Sequence, residues 1–162
     1  MNEAKKRSLM FGLCCCPVGI AMGVYWQSPA TGNYMVFPFF ASFAALMAPA
    51  LSRYFLVEKK KNYTNKRGAI TGCVGVAVAH YVTWYTGIAI INIQYWLFGM
   101  KAATLFPGET PVGMISGLLA ALVYTAFSFV FCGWLTIPAG ACIGWLYMRH
   151  FYAENDRKRQ DA

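Results

Sequence analysis

The chain has 162 residues, of which 58% are hydrophobic and only 12% charged, with a formal net charge of +8. A soluble domain is roughly 45–50% apolar and about 25% charged, so there is too little charge here to cover a water-exposed surface. The composition excludes a free-standing soluble enzyme, and the clustering of the basic residues argues against a nucleic-acid-binding surface.

Three charge-free runs organise the chain: Ser8–Ser52, Gly68–Met100 (33 residues) and Thr110–Met148 (39 residues). A membrane-spanning helix needs about 20 apolar residues. The pattern predicts an all-α integral membrane protein, a compact helical bundle with four hydrophobic regions at about 9–26, 34–57, 69–107 and 111–151. Residues 1–152 form one transmembrane domain in this reading, and 153–162 a charged tail. The first region ends in Val24-Tyr25-Trp26-Gln27. A signal-peptide cleavage site needs small residues there, so an uncleaved helix is expected, with Tyr25 and Trp26 at the membrane interface. Gln27–Asn33 reads as a short turn into the second region, which leads to the dense charges of Glu58–Arg67.

Orientation follows from Lys and Arg. Lys5, Lys6 and Arg7 precede the first region, Lys59, Lys60, Lys61, Lys66 and Arg67 follow the second, and Arg149, Arg157, Lys158 and Arg159 follow the last. Placing these clusters together puts both termini in the cytoplasm and makes the number of crossings even. Arg53 is expected to snorkel to the inner interface; Lys101 is the other exception. As single straight helices the last two regions would measure about 50 and 58 Å, against a hydrocarbon core of about 30 Å. Break signals stand at Thr86-Gly87 and across Gly133…Pro138-Ala139-Gly140, so breaks are expected near Gly87 and near Pro138/Gly140. Four long helices and six shorter segments both satisfy the charge pattern.

Glycine recurs four residues apart at Gly19/Gly23, Gly68/Gly72, Gly113/Gly117 and Gly140/Gly144. Such pairs let helices approach closely, either inside the bundle or against a partner. Cys14, Cys15, Cys16, Cys73, Cys132 and Cys142 all lie in apolar stretches, as packing residues or, for the Cys14–Cys16 run, as S-acylation sites. His80, Asn92 and Gln94 are the polar candidates within the membrane, read first as hydrogen-bond partners between helices. Tyr81–Tyr85 and Tyr95-Trp96 are expected to form interfacial belts. No nucleotide-binding, metalloprotease or hydrolase motif is present, and the six acidic residues avoid the apolar segments. No catalytic residue, metal ligand or cofactor is therefore assigned. Asn62-Tyr63-Thr64 matches a glycosylation acceptor but falls in the expected cytoplasmic loop.

The order of short motifs resembles the small membrane subunit (TctB-like) of tripartite tricarboxylate transporters. The matching residues are Gly32 followed by Phe37-Pro38, the basic loop Lys59–Arg67, a Gly87 site, Tyr124-x-x-Phe127, and Leu135-Thr136-Ile137-Pro138-Ala139-Gly140. The chain departs from the pattern at Glu109, where a basic residue is usual, and in the length beyond Gly140. The resemblance implies a small accessory subunit in a bacterial inner membrane, with Pro38 opening the second helix. It also implies two partners: a large translocating subunit that carries a carboxylate inward on an ion gradient, and a periplasmic solute-binding protein. Two other readings stand beside it: an accessory subunit of a respiratory or photosynthetic complex, and a membrane immunity protein against a pore-forming toxin.

Overall fold

The computed structural model describes residues 2–27, 37–99 and 110–160, with side chains described for 2–25, 38–99 and 110–151. Among these residues every regular element is helical. Helix α1 spans Glu3–Gln27; α2 spans Phe37–Arg53 and continues through a π-helical turn, Tyr54–Glu58; α3 spans Asn65–Phe98. Helices α4 (Met114–Ser128) and α5 (Trp134–Gln160) are joined by a second π turn, Phe129–Gly133, into one rod. Four spans are long and apolar enough to cross a membrane: Glu3–Tyr25, Pro38–Glu58, Asn65–Phe98 and Met114–Phe151. The expected turn with Gly32, together with Lys101 and Glu109, lies outside the described residues, as do the side chains of Trp26 and Phe37.

Local chemistry sets the ends of α3. The Thr64 side chain accepts from Arg67 N–H (3.3 Å) as the N-cap. Gly99 closes the helix at φ 62°, and its N–H donates to Tyr95 O (3.1 Å). A left-handed residue at this position is what glycine accommodates without a Cβ penalty.

Helix α1 packs on α2, α2 on α3, and α3 on both α5 and α4. Two adjoining stripes of α3, each with four-residue spacing, make its contacts. Gly68, Gly72, Val76, His80, Trp84, Ile88 and Asn92 meet the α4–α5 rod, from Gly144 at one end to Val112 at the other. Gly75 and Ala79 meet α2 at Pro49 and at Ala44/Ala48. Such i±4 ridges are the common geometry of close helix contacts.

Two of the glycine pairs pack against each other. A Cβ at Gly72 would strike Gly140 O, one at Gly140 would reach Gly72 O (2.8 Å), and Gly68 and Gly144 oppose each other in the same way. Gly19 rests on Ala41 and Ala45, and Gly23 on Pro38. Gly117 abuts Ile88, whereas a Cβ at Gly113, the N-cap of α4, would meet Ser116 Oγ at an ordinary 3.5 Å. Backbone-to-backbone approach of this kind takes the place of a hydrophobic drive that lipid does not supply.

The expected breaks are not found. Helix α3 continues through Gly87, where a Cβ would have no neighbour within 4 Å. Glycine costs a helix about 1 kcal/mol, whereas unpaired backbone groups in hydrocarbon cost several each, so continuity wins. Pro138 and Gly140 also lie within a continuous helix, α5. The irregularity sits one turn upstream, in the π turn ending at Gly133. There the Thr136 hydroxyl donates to Cys132 O (3.0 Å), a carbonyl that the Trp134 backbone N–H also reaches.

The length problem is met by overhang. With Pro49 opposite Gly75, the described start of α2 at Phe37 stands level with about residue 87 of α3. Helix α3 runs about 16 Å further, and its antiparallel neighbour α4, whose Gly117 meets Ile88, about 6 Å further to Met114. At the other end, contacts among Arg7, Glu58, Tyr63 and Phe151 bring the three basic clusters together.

Candidate functional site

Two polar loci lie inside the bundle, each built on a π turn. In an α-helix each residue advances about 100°, so positions eight apart diverge by about 80°. A π turn accommodates one extra residue, and the same two positions then fall within about 20° of one another. Ser128 and Thr136 flank the Phe129–Gly133 turn in this way, and both reach one imidazole on α3. Ser128 Oγ lies 2.7 Å from His80 Nδ1, and Thr136 Oγ1 lies 2.9 Å from His80 Nε2. The Phe129 ring stands edge-on to the imidazole at 5.3 Å.

The hydrogen bonds assign the tautomer. Thr136 spends its proton on Cys132 O, so it accepts from His80 Nε2–H. In the neutral imidazole Nδ1 is then the acceptor for the Ser128 O–H. With both nitrogens engaged, a metal or haem iron would have to displace a hydroxyl. Among the described residues no three His, Cys, Asp or Glu side chains are grouped to hold a metal. A cavity of about 70 Å³ lies beside the imidazole. His80, Thr83, Ser128 and Thr136 wall one side, and small residues of α1 and α2 such as Gly19, Ala41 and Ala45 wall the other.

The second locus centres on Glu58, at the end of the Tyr54–Glu58 turn. Residues five apart in an α-helix diverge by about 140°; the extra residue of the π turn reduces this to about 40°. Arg53 and Glu58 therefore pair, Nη2 to Oε1 at 3.1 Å, both side chains 1% exposed. Arg7 from α1 adds Nε to Oε1 (3.3 Å) and Nη2 to Oε2 (3.1 Å), and Tyr63 O–H donates to Oε2 (3.1 Å). Four donors fill the acceptor capacity of one carboxylate. Arg53 also lies 4.6 Å over the Tyr147 ring and donates to Met148 Sδ (3.0 Å), leaving its Nε without a partner. Tyr147 O–H donates to Arg7 O (3.1 Å), closing the junction of α1 and α5. Burial pushes the Tyr63 phenol above its ordinary value, and the adjacent Glu58 charge raises it further.

The expected snorkelling of Arg53 is corrected here. The side chain turns inward because a carboxylate and an aromatic face await it on the buried side, an arrangement better matched to guanidinium than an interface shared with lipid. Asn92 is buried and donates to Val112 O (2.6 Å) and Ile88 O (2.9 Å), tying the start of the rod to α3. Gln94 is exposed. Tyr81–Tyr85, expected as an outer belt, lies midway along α3. Trp84 stacks on Tyr124 at 5.2 Å and Tyr81 O–H reaches Leu118 O at 3.4 Å, so these rings contact α4. Phe127 faces outward. Cys14, Cys15 and Cys16 point in three directions, exposed, buried and half-buried; all six cysteines are free.

Ser128, Thr136, Glu58, Arg7 and Tyr63 were not singled out from sequence. The available signals were a Ser and a Thr eight apart across Gly133, and opposite charges five apart. Both spacings lie off the α-helical period. No family model, no curated protein and no solved structure matches this chain.

Proposed function

We propose that the chain is a small accessory membrane subunit with both termini in the cytoplasm of a bacterium. It supports the large translocating subunit of a binding-protein-dependent, ion-gradient-driven carboxylate uptake system. The observation that carries this reading is the overhang of α3 and α4. Among the described residues, the last turns of α3 pass the start of α2 beside the start of α4, and Ile93, Trp96, Leu97, Phe98 and Ile115 are exposed there. A larger helical neighbour in the same membrane is the partner such a surface fits. The basic clusters gathered at one end support the orientation. Arg7 and Arg53 are already committed to Glu58, so the translocating chemistry is assigned to the partner.

The test is affinity purification of the tagged chain from its native membrane. A much larger membrane protein is expected to copurify, with loss of carboxylate uptake when this chain is deleted. Uptake indifferent to the deletion would overturn the reading. The respiratory or photosynthetic alternative gains nothing from His80, because both its ring nitrogens are taken by hydroxyls.

A further inference from the structure

The cavity beside His80 continues into a shallower groove. The two share Val18, Met22 and Thr136, and the groove adds Pro17 and Ala21 of α1 and Leu135 and Ala139 of α5. Ile20 and Leu135, on the helices that form this groove, are exposed apolar residues. The path therefore runs from the outer face of two membrane-length helices to a polar patch in the bundle interior.

The chemistry of that patch is one-sided. Ser128 spends its proton on His80 Nδ1, His80 spends its Nε2–H on Thr136, Thr136 spends its own on Cys132 O, and Thr83 donates to Ala79 O (2.8 Å). Every proton of this set is used within the bundle, and what remains on Ser128, Thr136 and Thr83 is oxygen lone pairs. A carbonyl or ether head would find no partner among these groups. A hard divalent cation, which takes six or more oxygens, would find three hydroxyls. A hydroxyl head would donate into the patch while its chain lay in the apolar groove.

We propose that this cleft binds an amphiphile from the lipid phase with a long apolar chain and an alcohol or phenol head. The single O–H of the head donates to one oxygen of the Ser128, Thr83 and Thr136 set, and the chain occupies the groove between α1 and α5. The proposal rests on the helices lying in a membrane and is independent of the transport assignment.

The test uses the full chain in phosphatidylcholine nanodiscs with two probes of similar length, decan-1-ol and its methyl ether. Trp84 lines the cavity, so its emission reports occupancy, with Trp84→Phe as the blank. Decan-1-ol is expected to give a saturable change at a concentration about fivefold lower than the ether, the worth of roughly one hydrogen bond. Equal responses to the two probes, or no saturable Trp84-dependent response to decan-1-ol, would overturn the proposal. Thr136→Val supplies a second reading. It frees His80 Nε2–H to donate, so the preference is expected to shift toward the ether. An unchanged preference for the alcohol in a folded variant would contradict the assigned proton arrangement on which the proposal stands. The wild-type comparison decides the matter if that variant does not fold.

Discussion

The two π turns solve the same geometric problem for opposite kinds of chemistry. At the basic end, the Tyr54–Glu58 turn brings Arg53 onto the face of Glu58, and a charged hub forms with Arg7 and Tyr63. Midway along the rod, the Phe129–Gly133 turn aligns Ser128 and Thr136 on a neutral His80. The hub is ionic and excludes solvent on the Arg53 side; the clamp is uncharged and borders a cavity. A π turn fixes which residues face one another, and the residues supplied determine whether the result is a fastener or a pocket. Single π turns inside helices are frequent at functional sites, and of these two it is the clamp that borders the cavity.

If the hub is the fastener, removing its single acid has the largest effect. Glu58→Gln leaves two guanidiniums around a neutral amide, and a loss of roughly 3–5 kcal/mol is expected in unfolding titrations in mixed micelles. The double replacement Arg53→Met with Glu58→Leu is expected to recover most of that loss, because it removes the buried charge together with its partner. A single variant as stable as wild type would show that the hub holds nothing together.

The clamp, being neutral, is expected to matter less. His80→Ala strands two hydroxyls in an apolar interior and should cost about 1–2 kcal/mol, measured in the same titration. A loss as large as that of Glu58→Gln would erase the distinction between the loci. Smaller still is the effect of Arg7→Gln. The Arg7 side chain is 30% exposed, and its removal leaves the Arg53–Glu58 pair balanced; under about 1 kcal/mol is expected.

The smallest effect tests the geometry itself. Deleting Val130, an exposed residue of the π turn, converts that turn to plain α-helix. Ser128 and Thr136 then become seven apart and stay on one face, so stability should change little. Deleting Val123, exposed on regular α4, turns the preceding part of α4 by about 100° relative to the clamp. It should cost at least as much as His80→Ala. Equal losses from the two deletions would mean the π turn is not what aligns the clamp.

Much of the architecture is legible in the sequence. The charge-free runs locate the four apolar spans, and Gly68/Gly72 and Gly140/Gly144 are visible as close-approach pairs. That those two pairs oppose each other is not legible, because a spacing marks a face without marking its partner. Breaks at Gly87 and Pro138 are expected because the two long regions exceed a hydrocarbon core as straight helices, but both helices run on through these residues and α3 projects past the start of α2. In an apolar surrounding the helix continues. Asn92 was recognisable as a hydrogen-bond partner, but its acceptor, Val112 O, is twenty residues away across a turn.

The sequence by itself determined that this chain forms apolar helices of membrane length with its basic residues in three clusters. Composition and charge distribution do not depend on neighbours. Only the tertiary structure decided that Arg53 turns inward, that His80 is held by Ser128 and Thr136, and that a cleft opens beside it. The first two rest on where a π turn inserts its extra residue. That position reflects how several helices accommodate one another and leaves no periodic trace in the chain.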